Sequence, residues 1–366
     1  MEIGEAVRRM GLARNHRDRH WKTAVQVTDR TIRNAEPEWL EELLEALLQV
    51  GDPTYPMCYG FPVALQRLAT TPGDVERIRS VRRIAAEGKT WGDVRYELAG
   101  VASWLAAAQP LDHLLAFLGT ADAADELAAC LLQETALRHD ANGASGFARR
   151  LRAAGHPLAE LPLRRTPAER RHGLPHYPGL PQPEWHAPGE RTPAPGPAGI
   201  DLTATELGWP AADRALSAHR AWVSGGGECT EARLYSLDRP LAPADFGASL
   251  LRLLTADSTG GGLDEVSRAT TADVLHKLFQ GATGGSAYGP GLGGAYGRLA
   301  SWESLAALAG ADGGGTSAVE RAADRCAWLF YTSGWHLQVH PSMDVGIAVL
   351  RPDGRTVAVL AATDSD

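Results

Sequence analysis

The chain has 366 residues with a formal net charge of −8 and an apolar share of 44%. That length suits two or three domains of ordinary soluble composition. The acidic balance argues against nucleic acid as a partner. No apolar run reaches the roughly 18 residues that a membrane span requires, and the first twenty residues lack the apolar core of a signal peptide, so the expected location is the cytoplasm. Cys58, Cys130, Cys229 and Cys326 are far apart with no paired spacing, which argues against a zinc ribbon or a disulfide framework. Lysine occurs only at 22, 89 and 277 among many arginines, alanines and glycines, a bias typical of high-GC bacteria.

Residues 1–156 read as successive helices. Glu38 to Val50 places Leu40, Leu43, Leu44 and Leu47 at helical spacing, with Pro37 at its start and Gly51 at its end. Asp74 to Glu87, Asp93 to Ala107, Pro110 to Leu118, Asp122 to His139 and Gly146 to Ala154 follow in the same manner. Short Gly/Pro turns join them, which predicts an all-α domain of stacked helical hairpins or a HEAT-like array. Two stretches interrupt the pattern. Pro53 to Pro62 reads as an aromatic loop filling an inter-helix corner, with Cys58 inside it and no neighbouring base to activate the thiol. Arg14 to Lys22 is markedly basic and reads as a solvated segment.

Residues 157–199 contain eleven prolines and few aliphatic residues. They read as a linker without regular helix or sheet, or as a strap held down by Tyr177 and Trp185. His172, His176 and His186 lie here, but no acid or cysteine frames them as a metal set.

The third region, 200–366, predicts an α+β domain with a small antiparallel sheet packed by helices. Pro210 to Val223, Pro243 to Thr255 and Thr271 to Gln280 read as helices, and Cys229 to Leu237 as a strand. Gly281 to Gly297 reads as a glycine-rich loop before a helix through Ser301 to Ala309. It lacks the Gly-Lys-Ser/Thr of a phosphate loop and the strand that precedes a dinucleotide fingerprint. A helix over Ser317 to Thr332 is expected next. Trp335 to His340 then alternates apolar and polar residues, predicting a strand with His336, Gln338 and His340 on one face. The two histidines would lie about 13 Å apart, too far to share a metal ion. Val345 to Leu350 and Thr356 to Ala361 flank Arg351-Pro352-Asp353-Gly354-Arg355, which predicts a hairpin covered on both faces.

The segments SAYGPGLGGAYGRLASWESLAALAG and MDVGIAVLRPDGRTVAVLAATDSD make the region Glu231 to Asp366 resemble an uncharacterised family of proteins from high-GC (actinobacterial) bacteria. The resemblance implies that 200–366 forms a unit and implies no activity.

HExxH, GxSxG, Cys-x-x-Cys and Walker sequences are all absent. The first expectation is therefore a binding or regulatory protein whose helical domain presents a surface to a protein partner. The alternative is an enzyme or small-molecule binder with its site between the glycine loop and the 335–340 strand. There His336 or His340 would act as base and Asp344 would orient an imidazole. Gly293, Gly294, Tyr296, Arg298 and Gln338 would hold the ligand, with Arg298 on an anionic group. No cofactor is identified by any motif. The test of the alternative is whether these groups converge.

Overall fold

A computed structural model describes residues 2–12, 25, 29–92, 96–175, 177, 192–197, 199–224, 229–260, 262–286, 291–311, 313–337 and 344–364. These divide into two compact units, one extending to Ala159 and the other beginning at Glu160.

The first unit is helical throughout its described residues. Its helices include α1 (Ile3–Met10), α2 (Pro37–Leu48), α3 (Tyr55–Thr70), α4 (Val75–Gly88), α5 (Leu98–Ala108), α6 (Leu111–Thr120), α7 (Glu126–Arg138) and α8 (Ser145–Ala153). Local sequence explains several boundaries. Pro37 opens α2, and Asp74 and Asp125 cap α4 and α7 by accepting from Arg77 N and Ala128 N. The packing then alternates. α2, α4, α6 and α8 contact one another in succession, as do α3, α5 and α7. Two parallel layers of this kind are what stacked helical hairpins produce. Leu40, Leu43, Leu44 and Leu47 of α2 are all completely buried, as their spacing predicts.

The expected aromatic loop at 53–62 is instead the first half of α3, which carries Pro62 within it. Pro56 occupies the first turn, where a missing N–H costs nothing. Met57, Gly60 and Phe61 face inward, and Phe61 packs against the Trp91 ring at 5.2 Å. Helical spacing of the aromatics was concealed by the prolines.

The second unit contains α9 (Pro167–Arg171), β1 (Ala204–Leu207), α10 (Ala212–Ala215), β2 (Cys229–Leu237), α11 (Ala248–Leu251), α12 (Asp257–Gly260), β3 (Leu263–Ala269), α13 (Thr271–Gly284), α14 (Gly293–Ala309), α15 (Gly315–Ala323), β4 (Ala327–Ser333), β5 (Asp344–Leu350) and β6 (Thr356–Thr363). The strands form one antiparallel sheet in the order β1-β2-β6-β5-β4-β3. The whole is an α+β fold.

One sheet face, including Tyr235, Leu237, Leu329, Tyr331, Leu350, Val357 and Val359, packs with Phe246, Leu250, Leu251 and Leu254. The alternate residues Trp328, Phe330, Ile347, Val349, Ala358 and Leu360 are equally buried and point the other way. There α14 touches β6, and α10 touches β2. Coverage on both faces explains why β5 and β6 show little alternation in sequence.

Four expectations need correction here. Ala327 to Thr332, expected as the end of a helix, belong to β4 (Ala327–Ser333); near-complete burial on both faces erased the period-two signal. Trp335 to Leu337, expected to begin a strand, forms a turn, with His336 buried and Leu337 47% exposed. This reverses the predicted faces. The described residues between Gly281 and Gly297 are mostly helical, since α13 continues to Gly284 and α14 starts at Gly293. The region 157–199, expected to lack regular structure, contains α9, a single turn of 3₁₀ helix at Pro157–Glu160, and a bridge from Pro193 to Ser267. Ala194 N donates to Val266 O at 2.9 Å and Arg268 N to Thr192 O at 2.8 Å, so this segment covers the free edge of β3. The strap reading holds for Tyr177, whose buried ring meets Phe279 edge-on at 5.7 Å. Trp185, His176, His186 and the basic stretch 14–22 lie outside the described residues.

Gly346 shows how closely β4 and β5 approach. A Cβ there would sit 2.3 Å from Tyr331 O and 3.0 Å from two carbons of the Tyr331 ring. Gly346→Ala therefore forces the two strands apart, and we expect a loss of about 1–3 kcal/mol, the usual range for overpacking. Thermal melting of the full chain reads this directly, and an unchanged midpoint would refute it.

Candidate functional site

Gly281, Gly291 and Gly297 serve close packing. A Cβ on Gly281 would meet His219 Nε2 at 2.6 Å, and one on Gly297 would meet Thr283 Cγ2 at the same distance. On Gly291 it would fall 2.0 Å from Thr283 O. The glycines thus allow α13, α14 and the 3₁₀ turn Ser217–Ser224 to approach closely. Gly293 adopts φ +69° as it starts α14, Gly294 is buried in that helix, and Tyr296 is half-buried.

Arg298 does not hold an anionic ligand; it is 1% exposed and already fully engaged. Its Nε and Nη2 donate to the two oxygens of Glu169 at 2.6 and 2.8 Å. Nη1 donates to Pro162 O at 2.8 Å and Nη2 to Arg164 O at 3.0 Å. Trp302 Nε1 completes the carboxylate shell at 2.9 Å. Glu169 also closes the capping box of α9 by accepting from Thr166 N at 2.7 Å. Burial alone would raise the Glu169 pKa. The adjacent Arg298 charge and the hydrogen bonds from Arg298, Trp302 and Thr166 outweigh it and hold the carboxyl below its ordinary value.

Of the residues expected to form a site, His336 and Asp344 come together, within a polar cluster at one end of the sheet. β2 begins there opposite the end of β6, in the pair Cys229–Thr363, and β5 begins there in the pair Asp344–Thr363. Glu231, 7% exposed, accepts from Asp257 N and Ser258 N, both at 2.9 Å, and from Arg233 Nε at 3.1 Å. Burial pushes its pKa up, but bonds from Ser258, Asp257 and Arg233 leave it lowered overall. Ser258 Oγ shares a hydrogen with Tyr331 OH at 2.8 Å, deep below the surface, and burial raises the Tyr331 pKa. Ser333 Oγ donates to Ser258 O at 2.6 Å and lies 3.1 Å from His336 Nδ1.

His336 is 4% exposed. Its Nδ1 accepts from Ser333 N at 3.2 Å. A backbone N–H can only donate, so the ring proton of the neutral imidazole sits on Nε2. Burial lowers the His336 pKa, with partial opposition from the Val345 backbone and the Asp344 carboxylate. Asp344 accepts from Thr363 Oγ1 at 2.7 Å, and Thr363 Oγ1 in turn accepts from Leu337 N at 3.0 Å. This network ties the turn after β4 to β5 and β6.

Chemically, the cluster offers one neutral imidazole near a carboxylate. Ser333 is completely buried and its hydroxyl is spent on a carbonyl, so the Ser333–His336 pair lacks the geometry of an exposed nucleophile and its base. Glu231, Ser258, Tyr331 and Ser333 were not singled out in the sequence. They lie at scattered places in β2, α12 and β4, and no spacing in the sequence links them. Gln338 and His340 lie outside the described residues. Arg298 belongs to the α9–α14 contact, while His336 packs with Tyr331 on the sheet face that joins α11 and α12. Among the described residues, no group of three His, Cys, Asp or Glu side chains could hold a metal ion, and no helix is long and apolar enough to cross a membrane.

A two-layer helical stack in one unit and a six-stranded antiparallel sheet covered on both faces in the other define a two-unit α+β protein. The chain belongs to the family of unknown function DUF6183, whose model matches residues 22–366. The match includes both units and so extends the resemblance seen over 231–366. No curated protein and no solved structure matches the chain.

Proposed function

We propose that this protein acts in the bacterial cytoplasm as a binding or regulatory protein, engaging a partner protein through its helical unit. The observation that carries this reading is a cleft of about 480 Å³ between α2 and α4, lined by Glu42, Glu45, Ala46, Leu48, Gln49, Arg83 and Glu87. Arg83 pairs with Glu45 and lies 3.8 Å from Glu87, leaving the lining acidic overall. Such a cleft suits a basic segment of a partner. Stacked helical hairpins present surfaces of this kind to extended ligands.

A photo-crosslinker placed at Gln49 tests the proposal in cells. A discrete adduct that disappears in E42R/E87R supports it. A chain that forms no adduct while running as a free species argues against it.

A second reading, a small-molecule site, rests on His336 beside Asp344 without the glycine segment or Arg298. A ligand at about 100 times its dissociation constant adds about 2.7 kcal/mol. A melting shift lost in His336→Ala would favour this second reading.

A further inference from the structure

The stretch Arg164-Arg165-Thr166-Pro167-Ala168-Glu169-Arg170-Arg171 carries four arginines in eight residues of an acidic chain. Arg164, Arg170 and Arg171 are exposed and Arg165 is half-buried. The only acid in the stretch, Glu169, turns inward to Arg298. The backbone that carries the arginines is fixed at several points. Arg298 takes the carbonyls of Pro162 and Arg164, Thr166 caps α9, and Glu320 Oε1 accepts from Ala168 N at 2.8 Å. Arg170 Nη1 donates to Arg165 O at 2.7 Å, which sets these two residues side by side. Among the described residues, no carboxylate pairs with any of the four guanidinium groups.

We propose that this arginine cluster binds the phosphate backbone of a nucleic acid. Guanidinium groups match phosphate oxygens in bidentate fashion. Contacts to phosphate and sugar make up about half to two-thirds of protein–DNA hydrogen bonds. The composition of the surface favours this ligand over others. A protein interface needs apolar or aromatic anchors at its centre, and a membrane site needs apolar groups to insert. None of the exposed large apolar side chains lies between residues 160 and 175. The whole-chain charge of −8 does not decide against the site. Exposed charges more than about 8 Å away are largely screened at physiological ionic strength.

The test is fluorescence anisotropy of the full chain with labelled single-stranded RNA and double-stranded DNA of mixed sequence, between about 50 and 200 mM salt. Wild type should bind at the lower salt. R164Q/R165Q/R170Q/R171Q should lose at least about tenfold in affinity and flatten the log–log salt dependence by up to about 3–4, as each lost phosphate contact removes about 0.7–0.9. The lysine counterpart, which keeps the charges, should retain most of the binding. Should the fourfold glutamine variant melt early, the exposed pair R170Q/R171Q serves alone, with about half the change in slope. Failure of wild type to bind at about 50 mM salt would overturn the proposal. So would an unchanged slope in the glutamine variants, or tighter binding to phosphatidylserine vesicles than to either nucleic acid.

Discussion

Arg298→Ala is expected to destabilise the second unit by about 3–5 kcal/mol, the range for removing one partner of a buried ion pair. The loss has identifiable parts. The Glu169 side chain, 8% exposed, stays inside with its charge uncompensated, and the carbonyls of Pro162 and Arg164 lose their donors. Lysine at 298 should rescue little, because an ammonium cannot span both carboxylate oxygens and two carbonyls at once. Removing both charges, as in R298M/E169M, should recover much of the loss. The pH dependence discriminates further. Glu169 has a depressed pKa in the folded protein, so its contribution is present above the unfolded value near 4.5 and fades as pH falls through the folded value. In Arg298→Ala the buried carboxyl instead favours its protonated form, so the deficit relative to wild type should shrink on acidification. Hydrogen exchange across α14 measures both effects. Wild-type protection in the variant at neutral pH would contradict this account.

His219 gives the second large effect, and its sign is also fixed by burial. Its ring is completely buried and edge-on to Trp222 at 4.9 Å, and among the described residues neither ring nitrogen has a hydrogen-bond partner. Burial, with a smaller contribution from Lys277, lowers its pKa from 6.5 to about 3. The unfolded chain therefore takes up a proton that the folded chain refuses. Stability from this group is complete above pH 6.5 and falls progressively as the pH drops towards 3. At 1.36 kcal/mol per unit the span is worth about 5 kcal/mol. Replacing His219 by methionine should remove most of this acid sensitivity. It should not weaken the protein at neutral pH, because two unsatisfied polar atoms leave the interior. Urea midpoints of both chains between pH 7 and 4 are the measurement. Parallel curves would show that His219 is not the titrating group.

Segments whose instructions are local were legible in the sequence. The β5–β6 hairpin was visible because Pro352, Asp353 and Gly354 encode the turn and β-branched residues flank it. Gly354 indeed has φ +66°. Helices such as α2 and α4 were visible because each buries one stripe, and α7, buried on all sides, was visible from its long run of helix-forming residues. What failed was set by tertiary context. β4 reads like the end of a helix because layers on both faces of the sheet bury it. The alternation of Trp335 and His336 suggested an inner and an outer face, yet His336 turns inward to Ser333 while Leu337 faces solvent. Arg298 stands out by its position after a run of glycines, but its partner Glu169 lies 129 residues earlier in a proline-rich stretch. No local pattern could connect the two. The same holds for Glu231, Ser258 and Tyr331, which become a network only when β2, α12 and β4 come together.

The strand order carries a consequence for how the chain is made. β6 is last in the sequence but lies between β2 and β5 in the sheet. A ribosome that has not yet reached Thr356 has produced five strands without the one that joins the two halves of the sheet, and β1 and β2 remain cut off from β3, β4 and β5. Co-translational assembly can complete the helical stack early, whereas the sheet must wait for its closing residues. A chain cut short before Thr356 would thus yield one finished unit and one unfinished, with the hydrogen-bonding edges of β2 and β5 left unpaired and open to the cell's proteases.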